Sequence, residues 1–154
     1  DELFDRYLAL AAAAHLTRRA YRWIICEPSS GIIGAVNLND VTTGPRARAE
    51  INFWIASRAT GQGFGSEAVR AVVDVALKPQ PIGIGLTRVF GLVAPENLAS
   101  IKLMENTGFW PAGASRHIEL NIGGEWKRHV KLERHATMRN RILSRSSVLT
   151  ALVG

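Results

Sequence analysis

The chain has 154 residues, of which 47% are hydrophobic and 21% charged, and its formal net charge is +6. This length suits one globular domain with its own core, and the sequence holds no uninterrupted apolar run of about 18 residues that would span a membrane. The single cysteine, Cys26, excludes an internal disulfide and favours a reducing, cytoplasmic setting. The basic charge alone leaves nucleic acid, an acidic substrate and a solvated basic surface open.

Apolar spacing predicts four elements in the first third of the chain. A helix is expected over residues 2–19, where apolar residues recur at helical spacing. Strands are expected over Tyr21–Glu27 and residues 32–38, because two apolar runs flank a Pro-Ser-Ser-Gly turn and so form a hairpin. A third strand is expected over residues 48–56, in which apolar and polar side chains partly alternate.

The rest of the chain alternates between helices and strands. Residues 66–77 carry apolar side chains at helical spacing. A further helix is expected to begin after Asn97, a residue type that caps helices, and to end before Gly108. Further strands are expected over residues 87–94, 116–122 and 125–133, the last two joined by a Gly-Gly turn.

This order of elements predicts an α/β fold with a single mixed, mostly antiparallel sheet flanked by helices. We expect the folded domain to cover residues 1–135. Residues 136–154 are expected to form a tail, basic and then apolar, whose sequence leaves helix and disorder open.

A glycine-rich turn before the helix at 66–77 carries the chain's strongest chemical signal. It reads Thr-Gly-Gln-Gly-Phe-Gly-Ser over residues 60–66. Glycine allows positive φ and close approach of a ligand to the backbone, and a helix start offers free N–H groups at the positive end of the helix dipole. The turn therefore suits a pyrophosphate, although purely structural turns have the same composition.

A second segment, residues 97–109, reads Asn-Leu-Ala-Ser-Ile-Lys-Leu-Met-Glu-Asn-Thr-Gly-Phe. Together the two segments resemble motifs A and B of the GNAT superfamily of N-acetyltransferases, which use acetyl-CoA. The N-x-x-S…G-F form is similar to that of the RimJ/RimL-type branch, which acetylates the N-termini of ribosomal proteins. The resemblance runs over about residues 31–134. It implies transfer of an acetyl group from acetyl-CoA to a primary amine, such as a protein N-terminus, an amino acid or a small amine.

The resemblance also implies a particular sheet. Family members usually have seven strands, of which the fourth and fifth splay apart to receive acetyl-CoA. The strands at 48–56 and 87–94 would be that pair, so the family's usual first strand and first helix are expected to be missing before Asp1. A sheet edge left open in this way would favour a homodimer.

The resemblance assigns cofactor contacts to three segments. Backbone amides at the end of the third strand would bind the pantetheine arm, and Asn97 and Ser100 would approach it from the second motif. Thr60 stands where the family usually has Arg or Gln, which weakens one phosphate contact. The expected contacts are Trp54, Ile55, Ala56, Thr60, Gly61, Gln62, Gly63, Phe64, Gly65, Ser66, Asn97 and Ser100.

Three residues are candidates for proton transfer. Many family members place a Tyr at the position of Met104 as general acid, and Met cannot donate a proton. In the RimJ/RimL-type branch a Ser at the position of Ser100 is the expected donor to the leaving thiolate. Glu119 has the spacing of that branch's general base, and Glu50 lies where other members place a carboxylate, so both stay candidates for the base.

Two other functions compete with this interpretation. A CoA-binding regulatory module without turnover would also fit, because Thr60 and Met104 depart from the family pattern. A nucleic-acid binder would account for the net charge, but the sequence has no helix-turn-helix pattern or basic-aromatic strand. Neither nucleic acid nor a membrane is expected as a partner, and no metal is expected because no histidine pair has zinc-site spacing.

Overall fold

The structure, a computed structural model, describes residues 6, 9, 10, 12, 13 and 15–137. The described positions from 6 to 16 are helical, in agreement with the predicted first helix, and the backbone turns at residues 17–19. Of the predicted tail, residues 138–154 lie outside the described part of the chain.

Seven strands form one sheet. Their order across the sheet is β1-β2-β3-β4-β7-β5, and β6 also pairs with β7. Every pairing is antiparallel except the one between β3 and β4, which is parallel. The predicted mixed, mostly antiparallel sheet is therefore confirmed. The strands are β1 Tyr21–Glu27, β2 Gly31–Asn39, β3 Arg48–Ile55, β4 Arg88–Val93, β5 Trp110–Pro111, β6 His117–Ile122 and β7 Glu125–His135.

The parallel pair separates halfway along its length. Paired positions run from Arg48 opposite Arg88 to Glu50 opposite Phe90, and no further. Beyond that point β3 continues to Ile55 and β4 to Val93 without pairing to each other. The two strands that the sequence identifies as the splayed pair do diverge, and they are the third and fourth strands of the described sheet.

Two helices cover one face of the sheet in the described part of the chain. They are α1, Phe64–Leu77, and α2, Leu98–Asn106. The core lies between them and the sheet, with Val69 and Val73 of α1, Met104 of α2 and Leu132 of β7 all at most 1% exposed. Since side chains alternate across a strand, the residues between the core positions point to the opposite face.

The helix α1 begins at Phe64, two residues earlier than the sequence predicts. Gly63, in the left-handed conformation with φ +90°, is the residue that precedes the helix, so Phe64 and Gly65 already belong to the first turn. The prediction of a start at Ser66 was wrong because it treated all three glycines as part of the loop. Gly65 is instead a buried helical residue.

Candidate active site

A cleft of about 600 Å³ opens at the carboxyl end of β3, beside the point where β3 and β4 diverge. Three segments line it. The strand β3 contributes Phe53, Trp54 and Ile55. The glycine turn and the start of α1 contribute Ala59, Thr60, Gly61, Gly63, Gly65 and Ser66. The helix α2 contributes Ala99, Ser100, Lys102, Leu103 and Asn106.

The glycine turn is held in place by its own hydrogen bonds. Arg58 donates from Nη2 to the carbonyl oxygens of Ser30 and Ile32 at 3.2 and 2.8 Å, which ties the turn to the β1–β2 hairpin. The Thr60 hydroxyl donates to the Ser57 carbonyl at 2.8 Å. Gln62 donates from Nε2 to the Arg58 carbonyl at 3.0 Å. The turn is therefore shaped before any ligand arrives.

Two glycines in this turn need their conformational freedom. Gly61 and Gly63 have φ of +75° and +90°, a region that residues with a Cβ enter only with strain. A Cβ built on either residue would meet no protein atom within 4 Å, because both face open space. The backbone of the turn is thus bare toward the cleft, as close approach of a ligand requires.

The start of α1 presents free donors to the same space. The first intrahelical bond in this turn runs from the Glu67 N–H to the Gly63 carbonyl at 3.0 Å, and no side chain caps the helix. The N–H groups of residues 63–66 therefore lack intrahelical partners. They lie at the positive end of a 14-residue helix, where an anion is stabilised.

Gly65 has a packing role. A Cβ at this position would lie 2.8 Å from Leu103 Cδ1 and 3.2 Å from Ile55 Cγ1. The absence of a side chain thus lets α1, α2 and β3 meet closely at the floor of the cleft.

The helix α2 brings the second motif to the cleft. The Asn97 side chain accepts a hydrogen bond from the Ser100 N–H at 3.1 Å and so caps the helix. Ser100 lines the cleft while Asn97 does not. The same helix face adds Ala99, Lys102, Leu103 and Asn106, which the sequence analysis missed. Their spacing of three and four residues along one helix face was the available signal.

The predicted cofactor residues divide into two groups. Those that line the cleft are Trp54, Ile55, Thr60, Gly61, Gly63, Gly65, Ser66 and Ser100. Ala56, Gln62, Phe64 and Asn97 lie in the same segments but outside the lining. Gln62 and Asn97 use their side chains to hold the turn and the helix.

Met104 is a core residue. It is 1% exposed, and its Cε would lie 2.7 Å from a Cβ built on Gly91 of β4. The position where many family members have a Tyr is therefore filled by packing between α2 and the sheet. It supplies no proton donor to the cleft.

Glu50 lies at the last paired position before β3 and β4 diverge. It is half-buried, and burial raises the pKa of its carboxyl. The nearby Asp40 carboxylate raises this pKa further, while His129 lowers it in part. His129 is itself 9% exposed, and its Nδ1 is 2.9 Å from the Lys127 carbonyl oxygen. A carboxyl with a raised pKa is a stronger base once ionised.

Glu119 lies elsewhere on the sheet. It is an exposed residue of β6, directly opposite Arg128 of β7. Arg128 lies an even number of positions from the core residue Leu132 along β7, so Arg128 and its partner Glu119 share the face of Leu132. Glu50 is opposite Phe90, which is opposite Glu133, so Glu50 shares the other face with Glu133. Glu119 and Glu50 therefore point to opposite faces of the sheet. Neither of them is part of the cleft lining.

Comparison with known proteins gives the family. A family model described as an acetyltransferase (GNAT) domain matches residues 1–110. The chain therefore belongs to the GNAT acetyltransferases, as the two motifs predict. It is 34% identical over 98 residues to the probable N-acetyltransferase YjcK of Bacillus subtilis (strain 168), a match that covers 64% of this chain and 51% of that protein. The chain spans about half the length of this protein and of a second curated relative, the uncharacterized N-acetyltransferase p20 of Bacillus licheniformis.

Solved structures share the fold. The ribosomal-protein-S5-alanine acetyltransferase from Vibrio fischeri superposes with a TM-score of 0.76 at 23% identity, over 89% of this chain and 73% of that one. The spermidine N-acetyltransferase from Vibrio cholerae, solved in complex with CoA and spermine, superposes with a TM-score of 0.71 at 22% identity, over 86% and 75% of the two chains. The GNAT fold is thus confirmed.

None of the described helices is long and apolar enough to cross a membrane. Across the described part of the chain, no group of three His, Cys, Asp or Glu side chains could hold a metal ion.

Proposed function

We propose that this chain is an acetyl-CoA-dependent N-acetyltransferase that acts on a primary amine. One observation carries the proposal: the cleft beside the diverging strands ends at a bare glycine turn with free helix N–H groups. A pyrophosphate fits this end of the cleft, because two glycines leave the backbone open and no protein atom fills the space beyond them.

Different segments of the cleft would bind different parts of acetyl-CoA. The N–H groups of residues 63–66 would hold the pyrophosphate. The end of β3 at Trp54 and Ile55 pairs with β2 but not with β4, and its free side would offer backbone groups to the pantetheine arm. Lys102 adds a positive charge to the α2 side of the cleft. Bound acetyl-CoA would supply an acetyl thioester, the electrophile of the reaction.

The protein's own groups would move the protons. The substrate amine attacks the thioester carbonyl carbon directly, without an acyl-enzyme. Glu50 or Glu119 accepts the proton that the amine loses, through a water molecule where needed. Ser100, one turn into α2 and on the cleft wall, donates a proton to the departing thiolate. Ser100 is the candidate for this role rather than Met104, because Met104 is buried.

The acceptor is a protein N-terminus, an amino acid or a small amine. The names of structural relatives include both a ribosomal-protein acetyltransferase and a spermidine acetyltransferase. The proposal includes neither a nucleic-acid nor a membrane partner, and it assigns the protein to the cytoplasm, which suits its single free cysteine.

We further propose a homodimer that pairs across β1. Among the described strands, β1 pairs only with β2 and so forms one edge of the sheet. Its outer side chains Arg22, Ile24 and Cys26 are exposed. An open edge offers unpaired backbone groups to a second copy. Light scattering at high protein concentration tests this, and a strict monomer would contradict it.

A CoA-binding module without turnover is the second candidate. It is favoured by the burial of Met104 and by the use of the Thr60 hydroxyl within the turn itself, at 2.8 Å from the Ser57 carbonyl. Both candidates predict binding of CoA, and only the enzyme releases CoA from acetyl-CoA in the presence of an amine.

The deciding experiment measures release of free thiol from acetyl-CoA with a panel of peptide, amino-acid and polyamine acceptors. Cys26 is a free, exposed thiol that would add to the signal of a thiol assay, so the parent protein is Cys26→Ser. We expect amine-dependent thiol release that Ser100→Ala slows by about 10²–10⁴-fold, the usual range for general acid–base groups. Binding of acetyl-CoA without release for any acceptor would favour the regulatory module.

A further inference from the structure

A second cleft, of about 500 Å³, lies at the opposite end of the parallel strand pair. It is lined by the amino ends of β3 and β4 and the carboxyl end of β7. Its basic lining residues are Arg46, Arg48, Arg88 and His135. None of them lines the acetyl-CoA cleft.

The basic side chains form a row across three strands. Arg48 of β3 is directly opposite Arg88 of β4, and Arg88 is directly opposite His135 of β7. Side chains at opposed positions share a face of the sheet and lie close together. Like charges in this arrangement repel each other, so the Arg48–Arg88 pair is unfavourable unless an anion lies between the two guanidinium groups.

One nearby carboxylate, that of Glu133, neutralises only part of this row. Glu133, which is 13% exposed, accepts from Arg88 Nη1 at 3.3 Å and is 3.1 Å from His135 Nε2, so both of its oxygens are engaged. Glu50 lies two residues along from Arg48 and forms no ion pair with the described residues. Arg46 and Arg48 likewise have no acidic partner within the described part of the chain.

We propose that this second cleft is a binding site for a small phosphate-bearing anion. Guanidinium groups present forked donors that match phosphate oxygens, and Arg is the side chain best suited to this recognition. A phosphate between Arg48 and Arg88 would relieve their repulsion, and Arg46 would contact it from the loop before β3. The site lies at the amino end of β3, roughly 23 Å from the carboxyl end where the glycine turn begins, because β3 has eight extended residues.

The distance makes the two anion sites separable by experiment. The probe is inorganic pyrophosphate, titrated calorimetrically into wild type and into Gly63→Trp, whose side chain fills the glycine turn. CoA does not serve as the blocking agent, because its own phosphate groups could bind in the second cleft. We expect Gly63→Trp to retain pyrophosphate binding. Loss of all binding in Gly63→Trp would place the probe in the glycine turn and overturn the proposal, as would no binding to wild type up to millimolar pyrophosphate.

Arginine variants then locate the site. Arg48→Gln, at an exposed position, should weaken pyrophosphate binding by at least about tenfold, because a charge-assisted hydrogen bond is lost. Arg128→Gln is the matched control, since Arg128 is exposed on β7, outside both clefts, and the substitution changes net charge equally. Equal weakening in both variants, or none in Arg48→Gln, would mean that no specific site exists. Acetyl-CoA binding by Arg48→Gln should stay unchanged.

Discussion

Gly63 and Gly124 share a left-handed φ of +90°, and a Cβ on either would meet no protein atom within 4 Å. They differ in place, because Gly63 lies at the glycine turn and Gly124 in the hairpin turn between β6 and β7. Comparing the same substitution at the two glycines therefore distinguishes the effect of backbone strain from that of a side chain blocking the cofactor cleft.

Gly63→Trp should abolish acetyl-CoA binding, while Gly124→Trp should leave it intact. Each variant should lose about 1–2 kcal/mol of stability, because a side chain is forced into the left-handed region. Isothermal titration measures the binding and urea denaturation the stability. If Gly63→Trp binds acetyl-CoA as tightly as wild type, the glycine turn is not the cofactor site.

Glu50 makes the stability of the fold depend on pH. Burial and the Asp40 carboxylate raise the pKa of Glu50 in the folded protein. The folded state then binds this proton more tightly than the unfolded chain, so the stability that Glu50 contributes is complete at low pH and is lost as pH rises through the raised pKa. At neutral pH the buried charge is a net cost, and Glu50→Gln should be more stable than wild type.

Urea denaturation at about pH 4 and about pH 7 checks this sign, since the advantage of Glu50→Gln should shrink at the lower pH. Glu119→Gln is the control, because Glu119 is exposed and its replacement should change stability by no more than about 0.5 kcal/mol at either pH. A Glu50→Gln variant that is less stable than wild type at neutral pH would show that the carboxylate makes a net favourable contact in the fold.

At the scale of elements, helix capping and the proposed proton donation belong to two different residues at the start of α2, Asn97 and Ser100. The Asn97 side chain accepts from the backbone N–H of Ser100, so the cap does not use the Ser100 hydroxyl. Asn97→Ala should therefore cost about 1 kcal/mol of stability, the usual loss for an N-cap. Ser100→Ala should keep its stability and lose turnover. Thermal unfolding and the thiol-release assay, run on both variants, test the division; an unstable Ser100→Ala would contradict it.

The elements also show what could be predicted from the sequence. The strand β1 was predicted at its observed bounds, and the other long strands to within two residues at either end, because apolar runs between turn residues mark strands clearly. The two-residue strand β5 was not predicted, since Trp110–Pro111 is too short for any periodicity. The early start of α1 was missed because no local pattern tells which glycine precedes the helix.

The candidate site was predicted to a similar degree. The motifs identified the turn and Ser100, which the structure brings to one cleft. They did not reveal Lys102 and Asn106, because helical spacing shows that these residues share a face of α2 but not that this face lines the cleft. Nor could spacing along the chain show that Glu50 and Glu119 lie on opposite faces of the sheet, a relation that depends on strand register.

At the scale of the whole molecule, Arg134 of β7 joins the two helices that form the cleft. Its Nη2 donates to Asp74 Oδ1 of α1 at 2.9 Å, and its Nη1 donates to the carbonyl of Thr107, the residue after α2, at 2.9 Å. The arginine side chain is 25% exposed and Asp74 is 46% exposed. The relative placement of α1 and α2, and so the width of the cleft, depends in part on this one side chain.

Arg134→Gln should therefore lower both stability and acetyl-CoA affinity. We expect a loss of about 1–3 kcal/mol, because the Thr107 carbonyl is left without its charged donor. Asp74→Asn removes only the half-exposed ion pair and should cost less than about 1 kcal/mol, with the carbonyl bond and acetyl-CoA affinity retained. Urea denaturation and calorimetric titration of both variants measure the difference. Equal losses in the two variants would mean that the ion pair, rather than the bond to the end of α2, holds the helices in place.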